Sequence, residues 1–211
     1  MSLNKVILFF LVSALFSSCA SAKITEPPAF DYPNPLDTFF QKNPGGHFPI
    51  IIQRGMNTDP SVSAAGYLFY VSDVQGSPDI WMRQLRTTVN VPVVEQEAVQ
   101  NSPAISQDGQ HLAYVSYDRD ASGDILLTKI NPERIAYDVM RGNAIPNHSA
   151  SSFSVSDYIS EQFSESRDGC AGDAGELDPV FSADRRTLFY ASDRCQRTVF
   201  RLWSLKLNES G

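Results

Sequence analysis

Three times along the chain the same order of apolar and polar positions returns: a residue-Pro step, a Ser-led polar turn, an apolar run closed by Ser, an acidic turn and a second apolar run. The clearest copy is Ser102 to Ile130, SPAISQDGQHLAYVSYDRDASGDILLTKI; the others run from Asp59 to Leu85 and from Asp178 to Leu207. Aligned on Pro60, Pro103 and Pro179, the closing Ser falls at Ser72, Ser116 and Ser192, so the register holds to within one residue. Self-similarity on this scale predicts an array or a propeller of one supersecondary unit. Leu68 to Val71 and Leu112 to Val115 are short apolar runs bounded by turn residues, the pattern of strands buried on both faces. Asp108-Gly109 predicts a hairpin. Ile80, Trp81, Met82 and Leu85 supply a third strand, and Val91 to Val94 with Glu95 to Val99 an outer fourth. The first two prolines lie 43 positions apart, within the roughly 40–50 residues of a four-stranded propeller blade. One blade cannot bury its own faces, so neighbours must stack on it.

These residues resemble a known family. The order Asp/Ser-Pro, Ser-x-Asp-Gly, hydrophobic-Tyr-x-Ser-Asp-Arg and Asp-Ile-Trp is similar to the TolB-type propeller repeat, a relative of the Trp-Asp repeat. Ser182, Asp184, Leu188, Phe189, Tyr190, Ser192, Asp193 and Arg194 carry it in the third copy, and Ser106, Asp108, Gly109, Tyr114 and Ser116 in the second. The resemblance covers Asp59 to Leu207 apart from an insertion, and implies an all-β fold of four-stranded blades. It departs in three ways: Tyr117 stands for the usual Asp, the first copy lacks the Asp-Gly turn, and three units are visible where the family implies six blades. The chain has no room for the N-terminal α/β domain of TolB itself. The expectation is a partial propeller, or one whose ring a second copy completes.

The N-terminus bears on compartment. Lys5 precedes an apolar run from Val6 to Phe16 followed by small residues, the proportions of a secretory signal and too short to span a bilayer. Two cleavage readings compete within residues 1–22. Leu15 to Cys19 resembles a bacterial lipobox, with lipid on Cys19, whereas Ala20-Ser21-Ala22 fits ordinary signal peptidase. Ala20 after the Cys, by resemblance to known lipoproteins, favours the outer membrane facing the periplasm; the second reading leaves a soluble periplasmic protein. In an oxidising compartment Cys170 and Cys195 are candidates for a disulfide, against two free thiols. The net charge of −7 and pI near 4.9 argue against nucleic acid or anionic headgroups as bulk-charge partners.

Residues 23–46, with five prolines in a polar setting, read as an extended tether, and 47–211 as the propeller blades. Pro49 to Gln53 is a candidate strand to complete the third blade, which ends at Leu207 without a fourth strand of its own. The Pro-to-Pro spacing grows to 76 before the third copy. The excess lies at about 142–176, Ser-, Asp- and Gly-rich, and reads as a long surface loop.

Candidate chemistry is sparse. Asp118-x-Asp120-x-Ser122-Gly123-Asp124 has the spacing that opens a calcium loop, but Lys129 occupies the place of the bidentate Glu and the stretch coincides with the acidic turn of the repeat. An ordinary hairpin turn is the favoured reading, and no metal or cofactor is expected. His47, His111 and His148 share no ligand spacing, and no nucleophile elbow, H-E-x-x-H or phosphate loop is present. Asp73, Tyr117, Asp118, Asp193 and Arg194 are candidates for a binding surface, against a local role in tying strands. Two functional classes follow: a non-enzymatic envelope module that binds a protein or glycan, and a truncated relative of the propellers that gate prolyl oligopeptidase-like enzymes.

Overall fold

A computed structural model describes residues 50–87, 89–155, 174–194 and 198–207. The signal, the tether, most of the insertion and both Cys170 and Cys195 lie outside the described residues. Three antiparallel sheets follow one another along the chain. The first holds β1 (Asn57–Val62), β2 (Tyr67–Ser72), β3 (Asp79–Gln84) and β4 (Asn90–Val94); the second holds β5 (Gln100–Ile105), β6 (His111–Ser116), β7 (Asp124–Lys129) and the two-residue β8 (Phe153–Ser154). The third has three strands, β9 (Glu176–Phe181), β10 (Thr187–Ser192) and β11 (Arg201–Lys206). Each sheet is one copy of the repeated phrase.

The recurring proline has a structural reason. In each inner strand two residues oppose one Tyr of the central strand: Asp59-Pro60 opposite Tyr70, Ser102-Pro103 opposite Tyr114, and Asp178-Pro179 opposite Tyr190. These are β-bulges, where a residue without an N–H disrupts no ladder bond. Asp59, Ser102 and Asp178 sit at φ of 51°, 47° and 54°, a left-handed conformation that costs a non-glycine residue about 1 kcal/mol or more. The turn to the central strand also repeats. Ser106 and Ser182 each accept an N–H bond from the strand that follows and donate to Asp108 and Asp184 at 2.6 Å. Gly66 and Gly109 take the left-handed position of this turn, and Arg185 takes it in the third sheet, reaching across to pair with Asp108 of the second.

Alternate residues of each central strand face opposite neighbours. Phe69, Val71, Ile80 and Met82 of the first sheet bury against Leu112, Tyr114 and Leu126 of the second. Ala113, Val115 and Ile125 of the second bury against Leu188, Tyr190 and Leu205 of the third. We call the side toward the next sheet trailing and the other side leading. The middle sheet is covered on both. On the leading face of the first sheet Leu68, Tyr70 and Trp81 are buried, with Ile51 packed against them. Among the described residues nothing covers the trailing face of the third: Leu202 is 88% exposed where Ile80 and Ile125, at the same repeat position, are 0% exposed. Phe189 is likewise 48% exposed against 0% for Phe69 and Ala113.

Three expectations change. Ile50 to Gln53 forms no strand and lies on the first sheet: Ile51 fills its apolar leading face, and the Gln53 amide bonds Tyr70, Ser72 and Asn57. It therefore does not complete the third sheet. The outer strand of the first sheet stops at Val94, and Glu95 to Val99 connects it to the second. The second copy continues into an unexpected helix, α1 (Pro132–Arg141), with Asn131 as N-cap, Pro at the first turn and Gly142 closing it at φ 71°. Its Ile135 and Ala136 extend the core between the first two sheets. The stretch after Gly142 then supplies a 3-10 turn and β8, so part of the expected loop belongs to the second blade.

Stacking predicts unequal costs at equivalent positions. Ile80→Ala should cost about 2–5 kcal/mol, and Leu202→Ala within about 0.5 kcal/mol of zero in the monomeric chain. Urea denaturation at low protein concentration checks this; equal losses would contradict it.

Candidate functional site

The central strands finish at one end of the sheets, and there the repeated polar residues gather. After each closing Ser the chain turns, and the backbone N–H of Asp73, Tyr117 and Asp193 donates to the carbonyl of Met56, Val99 and Gly175, the residue before each inner strand. Asp73 Oδ1 accepts the return bond from the Met56 N–H at 2.7 Å, and Asp193 Oδ1 from the Gly175 N–H at 2.9 Å. Both aspartates thus clamp the entry of the inner strand. Gly55 fits beside this clamp because a Cβ there would stand 2.2 Å from Asp73 Oδ1. Tyr117 makes no such carboxylate bond; its hydroxyl accepts from the Asn101 amide at 3.4 Å.

The same end carries the ties between sheets. Gln100 N–H donates to the Pro78 carbonyl and Glu176 N–H to the Gly123 carbonyl, each at 2.8 Å, at equivalent repeat positions. Glu176 is fully buried and its Oε1 accepts from Arg194 Nη2 at 2.8 Å, in an ion pair shielded from water. Its other oxygen accepts from the Ile125 N–H of the second sheet. Arg194 therefore acts inside the joint between the second and third blades. A charge pair of this kind is costly to break from one side.

Asp118 remains exposed and lines a polar cleft with Arg119, Asp124, Ser116, Ser149 and Ser152. Asp120, next in the turn, accepts from the Ser122 N–H, as an acidic turn residue does. Among the described residues no three His, Cys, Asp or Glu side chains converge to hold a metal ion. Of the five candidate surface residues, Asp73, Asp193 and Arg194 are engaged in local bonds, Asp118 lines the cleft, and Tyr117 packs against the core between the second and third sheets. Burial pushes the phenols of Tyr70, Tyr114 and Tyr190 up to about 12. They are neutral throughout the physiological range. Tyr70 donates to Asn90 and Tyr114 shares a 2.8 Å bond with Ser152, so these cores have polar partners at their edges.

No protein-family model matches the chain, and no curated protein matches it in sequence. Solved structures resemble it in fold. TolB from Acinetobacter baumannii superposes with a TM-score of 0.52 at 13% identity, over 77% of this chain and 32% of that one. A putative TolB from Agrobacterium tumefaciens gives 0.50 at 12% identity, over 74% of this chain and 47% of that one. The fold is a TolB-like β-propeller. Three of its blades are described, and the chain spans about a third to a half the length of these TolB structures. The leading faces, trailing faces and inner-strand bulges are therefore features of a propeller blade.

Two ion pairs join the second and third blades, Glu176–Arg194 at this end and Asp108–Arg185 at the other. Arg194→Met should destabilise by about 3–5 kcal/mol by stranding the Glu176 charge, and adding Glu176→Leu should recover most of the loss. A double variant as unstable as the single would contradict that account. Partial desolvation pushes the Asp108 carboxyl up, but bonds from Ser106, Gln110 and Arg185 outweigh it and hold it below the ordinary range. Its contribution is thus present above the unfolded value near 3.8 and is lost as pH falls through the lower folded one. Asp108→Asn should flatten the acid limb of a stability-against-pH curve, and an unchanged limb would count against the role.

Proposed function

We propose that this chain is a non-enzymatic binding or scaffold module of the bacterial cell envelope, tethered to the membrane by lipid on Cys19 and presenting propeller faces to a protein partner. The observation that carries the reading is the trailing face of the third sheet, where Val180, Phe189 and Leu202 are exposed together, Phe189 and Leu202 at positions that the first two blades bury fully. Grouped apolar exposure of this kind marks an interaction surface. The polar cleft that Asp118 lines with Arg119, Asp124, Ser149 and Ser152 is a second surface, one that would favour a glycan. The apolar run before Cys19 and the Pro-rich segment after it support export and a spacer that holds the blades off the bilayer. A Cys170–Cys195 disulfide would close a loop of about 25 residues and add about 3 kcal/mol in the chain-entropy model.

Cys19→Ser should move the protein from the membrane fraction to the soluble periplasm, while an unmodified mature N-terminus at Lys23 would overturn the anchor. Non-reducing peptide mapping should join Cys170 to Cys195; two free thiols would end that pairing. For the binding role, a photoreactive residue at Leu202 in intact cells should give a discrete protein adduct, and one at buried Ile80 none. Failure of Leu202 to capture any protein would remove the main support.

A further inference from the structure

Two groups of large exposed apolar residues stand at the two ends of the series of blades. At the trailing end are Val180, Phe189 and Leu202; at the leading end are Ile50 and Ile52. The leading group has a definite arrangement. Residues 50–53 run as an irregular segment over the first sheet, and Ile51 packs onto Leu68, Tyr70 and Trp81. Its neighbours Ile50 and Ile52 are exposed, Ile52 by 84%. The segment therefore covers its own blade with one residue and offers the residues on either side to whatever precedes that blade.

Inside the chain the question of what covers a trailing face is already answered twice. The trailing face of the first sheet is covered by the leading side of the second, and that of the second by the leading side of the third. The third trailing face continues this interface with nothing on it among the described residues. The outer edge of β11 is also unpaired among the described residues, whereas β3 and β7 each have an outer partner. An open edge beside an apolar face is a liability that propellers remove by closure.

We propose that a second copy of this chain supplies the missing neighbour, with Ile50 and Ile52 of each copy seated on the Phe189–Leu202 face of the other. The contact is head to tail and occurs twice about a two-fold axis, so it closes instead of propagating. Two sets of three blades then make one ring, within the range of about four to eight blades over which propellers close. Ile51 and the Gln53 ties stay in place, so neither copy must unfold its leading end to join. This inference rests on reading the exposed trailing face as a binding surface, and it names the occupant.

Sedimentation velocity on the Cys19→Ser chain tests it with a pair of opposed charges. The parent should be a dimer. Ile52→Lys alone and Leu202→Glu alone should each weaken association by about tenfold or more, because every contact in a homodimer then places a charge on an apolar residue. An equimolar mixture of the two should dimerise again: one interface sets the introduced lysine against the introduced glutamate, and the other is unaltered. Both sites are exposed, so far-ultraviolet circular dichroism should be unchanged. A parent that is monomeric at its highest soluble concentration would overturn the proposal, as would a dimeric Leu202→Glu chain or a mixture that stays monomeric. A monomer whose Leu202 photoprobe captures a different envelope protein would also overturn it while leaving the binding-module reading intact.

Discussion

Face-to-face stacking of successive sheets is the interaction on which the rest of this structure depends. Each central strand is a short apolar run with no polar side of its own, so it is stable only between two neighbours. The middle blade has both: Leu112 and Tyr114 on one side, Ala113 and Val115 on the other, all fully buried. The first blade has one true neighbour and a cover made from Ile51. Among the described residues the third has one neighbour and a bare face. Stability, exposed apolar surface and the proposed mode of association all follow from this unequal coverage.

Polar residues do the complementary work of fixing how far each sheet is rotated against the next. The bonds from Gln100 to Pro78 and from Glu176 to Gly123 recur at one end of the blades, and the Arg185–Asp108 pair links turns at the other. Arg185 occupies a left-handed position that Gly66 and Gly109 hold in the first two blades, and in exchange for that strain it gains a partner on the adjacent blade. The clamps of Asp73 and Asp193 order the entry to inner strands that also carry a strained bulge. Residues that repeat with the blades mostly maintain the blades. The features open to a partner, Leu202, Phe189 and the cleft at Asp118, lie where the repeat is interrupted or unaccompanied.

Much of the fold is legible in the chain because the repeat states it three times. The closing serines, the central strands and the hairpin at Asp108-Gly109 all lie where spacing places them. Helix α1 escapes that reading although Asn131, Pro132 and Gly142 are recognisable start and stop signals, because it begins where a repeat ends and the repeat itself contains no helix. Strand β8 is two residues long and has no periodicity to detect. The position of Ile51 is illegible for another reason: an apolar triplet suits any uncovered blade, and only tertiary packing chooses the first over the third. The state of Leu202 is illegible too, since RLWSLK reads like any inward strand and its exposure depends on a neighbour. Among candidate site residues, the chain shows which are acidic turn positions, and only the geometry shows that Asp73, Asp193 and Arg194 are bonded within the scaffold.

Hydrogen–deuterium exchange on the Cys19→Ser chain, followed at low and high protein concentration, addresses the stacking account most directly, because amide protection reports the local cost of opening. At low concentration the amides of β6 and β7 should exchange slowest and those of β10 and β11 faster, in the order of face coverage. Raising the concentration should slow β11 and leave β6 unaltered. Protection in β11 equal to that in β6 at low concentration would contradict the claim that stability here comes from blade-on-blade burial.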